Sequence, residues 1–359
     1  MARLLHESPS ATDLRTDRLD ILLLERMVPE AMSWLQARHT VEFRPDLAED
    51  VSSLRREIYK TDAIVLPRKA ALTREFLDFA PRLRAVARMH VGTDNTDLEA
   101  CRERNVQVIQ ANSANVRSNA EYLLAGLLLQ FRRGLVASLN GERHGEIRMG
   151  RELHGSTVGL MGLAPTAHTL ALMLGALGAK LIGYDPAVHH TAPVWARLNV
   201  QPVSITDLMA QADAVSVHIL YASRFRHFVN GKLLQHCRPG QIWVVTSRSS
   251  LFDPEALAEA LADGRIESCL IDGADAGFAS RGTPLHAMAN LHLTPRLGSY
   301  TREARLRASW YVAHRMHEAL TVPQGAAASN RRWDLDPPLP GMPPQAPAPQ
   351  VSPDAPAVP

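Results

Sequence analysis

The stretch Thr157-Val-Gly-Leu-Met-Gly-Leu-Ala-Pro-Thr-Ala-His168 places an apolar run before a turn that contains glycine, and a helix-forming sequence follows that turn. A second apolar run covers Lys180 to Tyr184, and Asp185 comes directly after it. A strand, a crossover helix and a second strand in this order form the βαβ unit of parallel sheets. Because such segments alternate through most of the chain, the sequence predicts an α/β fold with parallel sheets.

The turn inside this unit has the placement of a dinucleotide-binding turn, with an acidic residue about 20 residues further on. Glycine, glycine and then glycine or alanine are usual at its three marked positions, which here are Gly162, Ala164 and Ala167. Ala164 puts a methyl group where backbone usually approaches a pyrophosphate, and Pro165 lacks an N–H donor. The turn predicts either a nucleotide site or an ordinary strand–helix connection that binds nothing. The candidate contacts are Gly162, Ala164, Pro165 and Thr166.

Asp185 indicates which nucleotide the turn would prefer. An acidic side chain at this place can accept hydrogen bonds from both ribose hydroxyls, and its charge repels a 2′-phosphate. A bound cofactor is therefore expected to be NAD, with NADP less favoured. Without a cofactor, Asp185 is an ordinary turn residue.

The composition is that of a soluble globular protein, since 46% of its 359 residues are hydrophobic and 21% are charged. That length suits two domains. The formal net charge is +2, which gives no basic field for nucleic acid. No apolar run approaches the roughly 18 residues of a membrane span, and the N-terminus lacks the apolar core of a signal peptide. We therefore expect a cytoplasmic protein with no nucleic-acid or membrane partner.

The cysteines and histidines indicate no metal site. Cys101, Cys237 and Cys269 lie far apart in the sequence and form no metal-type pair. The histidine spacing does not match a metal-binding pattern either. We expect three reduced, mostly buried thiols, because a free cysteine usually packs as a small hydrophobic residue.

The patterning divides the chain into a flexible N-terminus (1–18), a first α/β unit (19–115 with 300–330), a second α/β unit (116–299) and a disordered tail (331–359). A long helix is predicted from about Arg117 to Phe131, and it is apolar on nearly every side. Such a helix is buried all round or packs against a partner subunit. The tail is rich in proline and shows no apolar periodicity, although a docking motif for a proline-binding module is the alternative.

Five ordered stretches resemble the D-isomer-specific 2-hydroxyacid dehydrogenase family over about residues 19–320. They are 88–100 (RMHVGTDNTDLEA), 115–121 (NVRSNAE), 150–159 (GRELHGSTVG), 245–248 (VTSR, followed by Asp253 and Glu255) and 293–298 (LTPRLG). Five matches in order are stronger evidence than the nucleotide turn alone. The resemblance implies two doubly wound Rossmann-like domains with parallel sheets. One is a flavodoxin-like substrate domain and the other an NAD-binding domain, and the protein would form a homodimer.

The resemblance also implies a site for NAD and for a small 2-hydroxy or 2-oxo acid. Arg248 matches the arginine that holds the substrate carboxylate and polarises its carbonyl group. The matched positions are His90, Val91, Gly92 and Arg248 for the substrate, and His218, Thr246 and Asp272 for the cofactor.

The chain departs from the family at the two positions that handle the proton. Arg296 stands where the family has a catalytic histidine, and Gly277 stands where a glutamate orients that histidine. A pKa above about 12 makes arginine a poor proton donor at neutral pH, although its charge can stabilise an alkoxide. Asp275 lies two residues before Gly277 and could approach Arg296. The candidate catalytic residues are therefore Arg248 and Arg296, and two arginines in one cleft would suit a dianionic substrate.

No other histidine is a clear replacement. His292 is expected to pack in the interior, and His90 replaces a glycine usual in the substrate loop, where its ring would line the pocket or face solvent. His218 follows a strand near the expected nicotinamide position, but Leu220 stands in place of the family's proline. The adjacent His189-His190 pair is expected on the surface.

Two functions are compatible with these residues. The first is an NAD-dependent oxidoreductase that acts on the CH–OH group of a small 2-hydroxy acid with altered or weak activity. The alternative is a catalytically inactive relative that serves as a ligand sensor or protein-binding scaffold. Asp185 and Arg248 favour the first function, whereas the substitutions in the nucleotide turn and at the proton-handling positions oppose it.

Overall fold

The computed structural model describes residues 20–90, 95–133, 149–219 and 222–321. Contacts divide the chain into two units: the first runs to Asn112 and resumes at Leu306, and the second is Ser113–Arg305. The sequence placed these divisions near residues 115 and 299. The N-terminal segment and the proline-rich tail expected above lie outside the described residues, as do Val91, Gly92 and Leu220.

The first unit contains five strands, β1 (Asp20–Leu23), β2 (Thr40–Phe43), β3 (Ala63–Val65), β4 (Ala85–Arg88) and β5 (Gln107–Gln110). Its helices include α1 (Pro29–Gln36), α2 (Val51–Ile58), α3 (Arg74–Asp78) and α4 (Leu98–Glu103). The strands form a parallel sheet in the order β2-β1-β3-β4-β5. This is the flavodoxin-like order, as the resemblance implied.

The second unit contains seven strands, β6 (Thr157–Met161), β7 (Lys180–Tyr184), β8 (Gln201–Pro202), β9 (Ala214–Val217), β10 (Gln241–Val245), β11 (Ile266–Asp272) and β12 (Leu291–Thr294). Its helices include α5 (Val116–Phe131), α6 (Pro165–Ala176), α7 (Pro193–Arg197), α8 (Ile205–Gln211), α9 (Gly231–Leu234) and α10 (Pro254–Ala262). A last helix, α11 (Arg302–Thr321), continues into the first unit. The strands pair in parallel in the order β12-β11-β10-β9-β6-β7-β8, the doubly wound order of dinucleotide-binding sheets. The α/β fold predicted from the sequence is confirmed.

The central strands were predictable because helices cover both faces of a parallel sheet, so their residues are apolar almost without interruption. All five residues of β10 are buried, for example, and Trp243 in its middle packs against Phe252. Six helices, α2, α4, α7, α8, α9 and α10, were not predicted. Each has nine residues or fewer, and all but α7 begin at a polar side chain that accepts a backbone N–H, namely Asp50, Asp97, Ser204, Asn230 and Asp253.

Helix α5 confirms the predicted long apolar helix, which begins one residue earlier than expected. Its buried side packs against the sheet, where Gln130 Nε2 donates to the Trp243 carbonyl at 2.9 Å. A side chain at Gly126 would overlap Leu270, so the helix approaches β11 closely at that point. Leu128 on the other side is 42% exposed. The helix is therefore buried on one side rather than all round.

The three cysteines are free and buried, which confirms the expectation of reduced internal thiols. Burial raises the pKa of all three thiols, that of Cys237 to about 12. At neutral pH each stays in the unreactive protonated form. Within the described part of the chain, no helix is long and apolar enough to cross a membrane.

A fully buried arginine holds the loop after β4 in the first unit. Arg88 donates to the carbonyl oxygens of Pro67, Ala70 and Asn95 at 3.2, 2.9 and 3.4 Å. Asn95 Nδ2 in turn donates to the carbonyls of Arg68 and Ala70 at 2.7 and 2.9 Å. Burial lowers the pKa of Arg88. The guanidinium group thus connects the loop at Pro67 and Ala70 with the loop at Asn95 by donating hydrogen bonds to their backbone carbonyls.

We expect Arg88→Met to destabilise the first unit by about 2–4 kcal/mol, because buried carbonyl groups lose a charged donor while the aliphatic volume is retained. Amide hydrogen exchange of β3 and β4 in the full chain measures this loss. Arg102→Met is the matched control, since Arg102 is 80% exposed and pairs only loosely with Glu99. Equal protection in both variants would show that the Arg88 contacts contribute little.

Candidate functional site

The nucleotide turn lies where the strand order of the second sheet reverses, between β7 and β9. Gly162 follows β6 with a φ of +100°, a conformation that favours glycine. A Cβ atom there would lie 2.6 Å from the backbone carbon of His218 and the nitrogen of Ile219. Because these atoms belong to backbone, no larger residue fits without moving β9. Ligands of doubly wound sheets bind beside such a reversal, outside the carboxyl ends of the strands.

Asp185 follows β7 and holds the nucleotide turn. Its Oδ2 accepts the Leu163 N–H at 2.6 Å, and its Oδ1 accepts the Ala187 N–H at 2.7 Å. Each carboxylate oxygen retains capacity for a further donor such as a ribose hydroxyl. Asp185 also lines an open groove of about 960 Å³ together with Val188 and Ser204.

The first turn of α6 carries the altered positions. Ala164 is the residue before the helix and makes no side-chain capping hydrogen bond, and Pro165 is the first helical residue. The amides of a helix's first turn have no partner within the helix, so the Thr166 N–H is a donor that Pro165 does not remove. Phosphate binding at this end would rely on fewer amides than in the usual pattern.

His218 is a buried neutral histidine beside this turn. Burial, with a smaller contribution from nearby His168, lowers the pKa of His218 to about 3. Its Nε2 atom is buried and has no hydrogen-bond partner among the described residues. Burial also lowers the pKa of His168, which lies in the first turn of α6. Sequence reasoning missed His168, although its place one residue after Ala167 was visible.

These residues fit a dinucleotide cofactor. Three features lie at one end of the sheet. They are Gly162, where a Cβ atom would meet backbone, the carboxylate of Asp185 after the neighbouring strand, and the Nε2 atom of His218, which has no partner among the described residues. Thr246 follows β10 on the same edge and is half-buried. Gly162, Asp185, His218 and Thr246 would hold the cofactor here, with Ala164 and Pro165 offering weaker phosphate contacts than glycine.

Asp272 fixes the turn that carries Arg296. Its Oδ1 accepts the hydroxyl of Thr294 at 2.6 Å and the amide of Leu297 at 2.7 Å, while its Oδ2 accepts the amide of Gly298 at 2.8 Å. Tyr122 on α5 shares a hydrogen bond with the Thr294 hydroxyl at 2.6 Å, and burial raises the Tyr122 pKa. Asp272 is only 5% exposed. Its expected contact with the cofactor stays a prediction.

Three charged side chains meet beyond the carboxyl ends of β10, β11 and β12. Arg248 Nη1 lies 3.6 Å from Asp275 Oδ1, and Arg296 Nη2 lies 3.9 Å from the same oxygen. The other carboxylate oxygen accepts the Ser249 hydroxyl at 3.0 Å, and the Asp275 amide donates to that hydroxyl at 2.8 Å. The approach of Asp275 to Arg296 suggested by the sequence is found. We call Arg248, Asp275 and Arg296 the arginine pair site.

Arg296 occupies its place because Gly273 has no side chain. A Cβ atom at Gly273 would overlap the Arg296 side chain and lie 3.0 Å from its guanidinium carbon. Both residues have positive φ angles, +79° at Gly273 and +59° at Arg296. Such angles are uncommon for arginine, so the turn holds this backbone in a constrained conformation.

The remaining candidate residues differ in their burial. Gly277, at φ +87°, has open space where a Cβ would point. His292 is half-buried in β12, where burial lowers its pKa. His189 and His190 are exposed, as expected, and their tilted rings lie with centroids 4.2 Å apart. His90 is half-buried in the first unit. No cluster of metal-binding side chains occurs among the residues that the structure describes.

Comparison with known proteins identifies the family. A family model for the NAD binding domain of D-isomer specific 2-hydroxyacid dehydrogenases matches residues 125–298. The (S)-sulfolactate dehydrogenase of Chromohalobacter salexigens is 32% identical over 307 residues, which are 84% of this chain and 99% of that protein. The chain belongs to the D-isomer specific 2-hydroxyacid dehydrogenase family. The D-3-phosphoglycerate dehydrogenase of Mycobacterium tuberculosis is also 32% identical over 84% of the chain, but the match spans only 56% of that enzyme.

Solved structures agree with this assignment. The TT0316 protein of Thermus thermophilus matches with a TM-score of 0.72 and 27% identity, over 84% of this chain and 97% of that one. D-2-hydroxyisocaproate dehydrogenase shares the fold, with a TM-score of 0.69 and 21% identity over 84% of this chain and 96% of its own. The chain thus carries the family's NAD binding domain. The match of Arg296 and Gly277 to the family's histidine and glutamate positions stays a prediction.

The buried His218 should make folding depend on pH. Its pKa of about 3 lies below the unfolded value of about 6.5, so the unfolded chain binds the extra proton between those pH values. Stability should therefore fall as pH falls below about 6.5, by roughly 2 kcal/mol for this group at pH 5. His218→Gln should flatten that part of the urea-denaturation profile. The same change at exposed His236 serves as control, and equal slopes in the two variants would contradict the assignment.

Proposed function

We propose that the chain is an NAD-dependent oxidoreductase that interconverts a small 2-hydroxy acid and its 2-oxo acid, with altered proton handling. One observation carries this proposal: Arg248, the family's substrate arginine, stands in the second unit at the sheet edge that also holds the dinucleotide residues Gly162, Asp185 and His218. The names of two relatives, a sulfolactate and a phosphoglycerate dehydrogenase, support a 2-hydroxy acid that carries a second anionic group.

Arg248 supplies the carboxylate contact. A guanidinium group forms two parallel hydrogen bonds with a carboxylate, which orients the acid as well as binding it. When bound, the nicotinamide would supply hydride to the carbonyl carbon. The positive charge of Arg248 then stabilises the oxygen that becomes an alkoxide. The charge of Asp185 supports NAD over NADP, because it repels a 2′-phosphate.

Proton transfer must differ from the family's usual mechanism. An arginine is a poor proton donor at neutral pH, so Arg296 would stabilise the alkoxide by charge while water supplies the proton. Gly277 offers no carboxylate to orient an acid. Loss of a positioned general acid lowers rates by about 10²–10⁴, so slow turnover is the expected activity.

We also infer a homodimer, supported by the exposed Leu128 on α5, which sedimentation of the full chain would test.

The presence of Arg296 together with Gly277 favours a second candidate function, a catalytically inactive relative that senses a ligand or binds a protein. Fluorescence titration of the chain with NADH and with NADPH separates the two. Saturable NADH binding that is tighter than NADPH binding supports the oxidoreductase. No binding of either nucleotide at about millimolar concentration, which corresponds to roughly 4 kcal/mol of binding free energy, would leave only the inactive relative.

Arg248→Gln should lower kcat/KM for the best 2-oxo acid by about 10²–10³, since the carboxylate loses a bidentate charged partner. The assay follows NADH consumption with glyoxylate, hydroxypyruvate, phenylpyruvate and 3-sulfopyruvate. Arg281→Gln, at an exposed arginine of the same unit, is the control and should retain the wild-type rate. Unchanged turnover in Arg248→Gln would mean that the reaction occurs elsewhere.

Reduction by the wild-type chain should show no break in its pH profile near pH 6.5, because arginine does not titrate there. Arg296→His introduces a group that must be protonated to act as an acid. Its reduction rate should therefore fall as pH rises through about 6.5–7, and combination with Gly277→Glu should shift that fall to higher pH. The measurement is kcat/KM against pH for all three proteins. A break near pH 6.5 already present in the wild type would point to a titrating histidine.

A further inference from the structure

We propose that the arginine pair site selects a dianionic 2-oxo or 2-hydroxy acid with its second anionic group on the carbon next to the reacting one. Arg248 would bind the carboxylate and Arg296 would bind the second group. Asp275 takes the position of that second group until the substrate arrives. The inference rests on the proposed function for the reaction and adds the substrate class.

The geometry places one carboxylate oxygen between two guanidinium groups. Asp275 Oδ1 lies 3.6 Å from Arg248 and 3.9 Å from Arg296, distances too long for hydrogen bonds. The pairing is therefore electrostatic, and an anion that approaches to hydrogen-bond distance would bind Arg296 better than Asp275 does. Ser249 holds the far side of the Asp275 carboxylate, so Asp275 has a second partner when it leaves Arg296.

The distance between the two cations sets the size of the ligand. Both guanidinium groups lie within 3.9 Å of a single atom, so a small acid whose two anionic groups are separated by a few bonds can contact both. A three- or four-carbon acid meets this condition. The side chains of Arg248, Arg296 and Asp275 are 28%, 38% and 36% exposed, so a small acid can reach them.

Gly273 leaves the space in which the Arg296 side chain lies. Gly273 follows Ile271-Asp272 directly after the end of β11. A Cβ atom at Gly273 would overlap the Arg296 side chain where it now lies, so the glycine makes room for this placement of the arginine. The bonds from Asp272 to Leu297 and Gly298 then fix the turn on either side of the guanidinium.

The first experiment measures binding without turnover. Isothermal titration of the full chain compares 3-sulfopropionate, a dianion, with butyrate, a monoanion of similar length. We expect the dianion to bind at least about 10-fold more tightly, as hydrogen bonds to charged groups give. Arg296→Gln should remove that preference, whereas Arg281→Gln should retain it. Asp275→Asn should strengthen dianion binding, because the competing charge is gone. Equal binding of the two acids, or weaker dianion binding by Asp275→Asn, overturns the proposal.

The second experiment measures the preference during catalysis. The ratio of kcat/KM for a dianionic acid to that for pyruvate should fall about 10–100-fold in Arg296→Gln. Gly273→Ala should lower the same ratio, since it displaces Arg296 without removing its charge. Separate arms with 3-sulfopyruvate and oxaloacetate show whether the second group is a sulfonate or a carboxylate. Titration detects the anion preference even in a chain with no turnover.

The two proposals fail in different ways. Turnover of pyruvate and of the dianions with equal kcat/KM, and with a ratio unchanged in Arg296→Gln, removes the substrate class but leaves the oxidoreductase. Dianion-selective binding with no NADH consumption by any acid removes the oxidoreductase but leaves the anion site. If the chain binds only monoanions, Asp275 stays paired with Arg296 and keeps a second anionic group out. This outcome also contradicts the proposal that the site selects a dianionic acid.

Discussion

The carboxylate of Asp272 holds the turn after β12 against the end of β11. It is almost fully buried, and three donors from Thr294, Leu297 and Gly298 compensate for the loss of water around its charge. Tyr122 extends the network to α5 through the Thr294 hydroxyl. Hydrogen bonds to or through this carboxylate therefore connect β11, the turn after β12 and helix α5. Arg296 belongs to that turn, so these bonds help to fix its position.

The sequence predicted the features that depend on burial, because buried strands are apolar and their order along the chain is visible. It also suggested the approach of Asp275 to Arg296, which the structure shows. The role of Arg248 stays a prediction. The sequence did not reveal that Gly273 makes room for Arg296, because residues 23 positions apart meet only through the β11–β12 register. His168 was missed for a related reason, since its effect on His218 requires two neighbouring elements.

The resemblance to the family was most informative where the chain departs from it. The predicted match of Arg296 and Gly277 to the family's histidine and glutamate positions would by itself mean the loss of an acid and of the residue that orients it. The contacts of Arg296 give another explanation, since its guanidinium lies over a glycine and faces a carboxylate that a second arginine also faces. A scaffold that positions side chains at strand ends can change chemistry by exchanging a few of them.

The buried thiols have a practical consequence for studying this protein. All three cysteines are enclosed in the core, where their protonated sulfur atoms react slowly with alkylating reagents and oxidants. A cysteine introduced at an exposed position would therefore be labelled selectively, without first removing the native ones. A fluorophore or spin label could then be attached at any chosen surface residue of the otherwise unaltered chain.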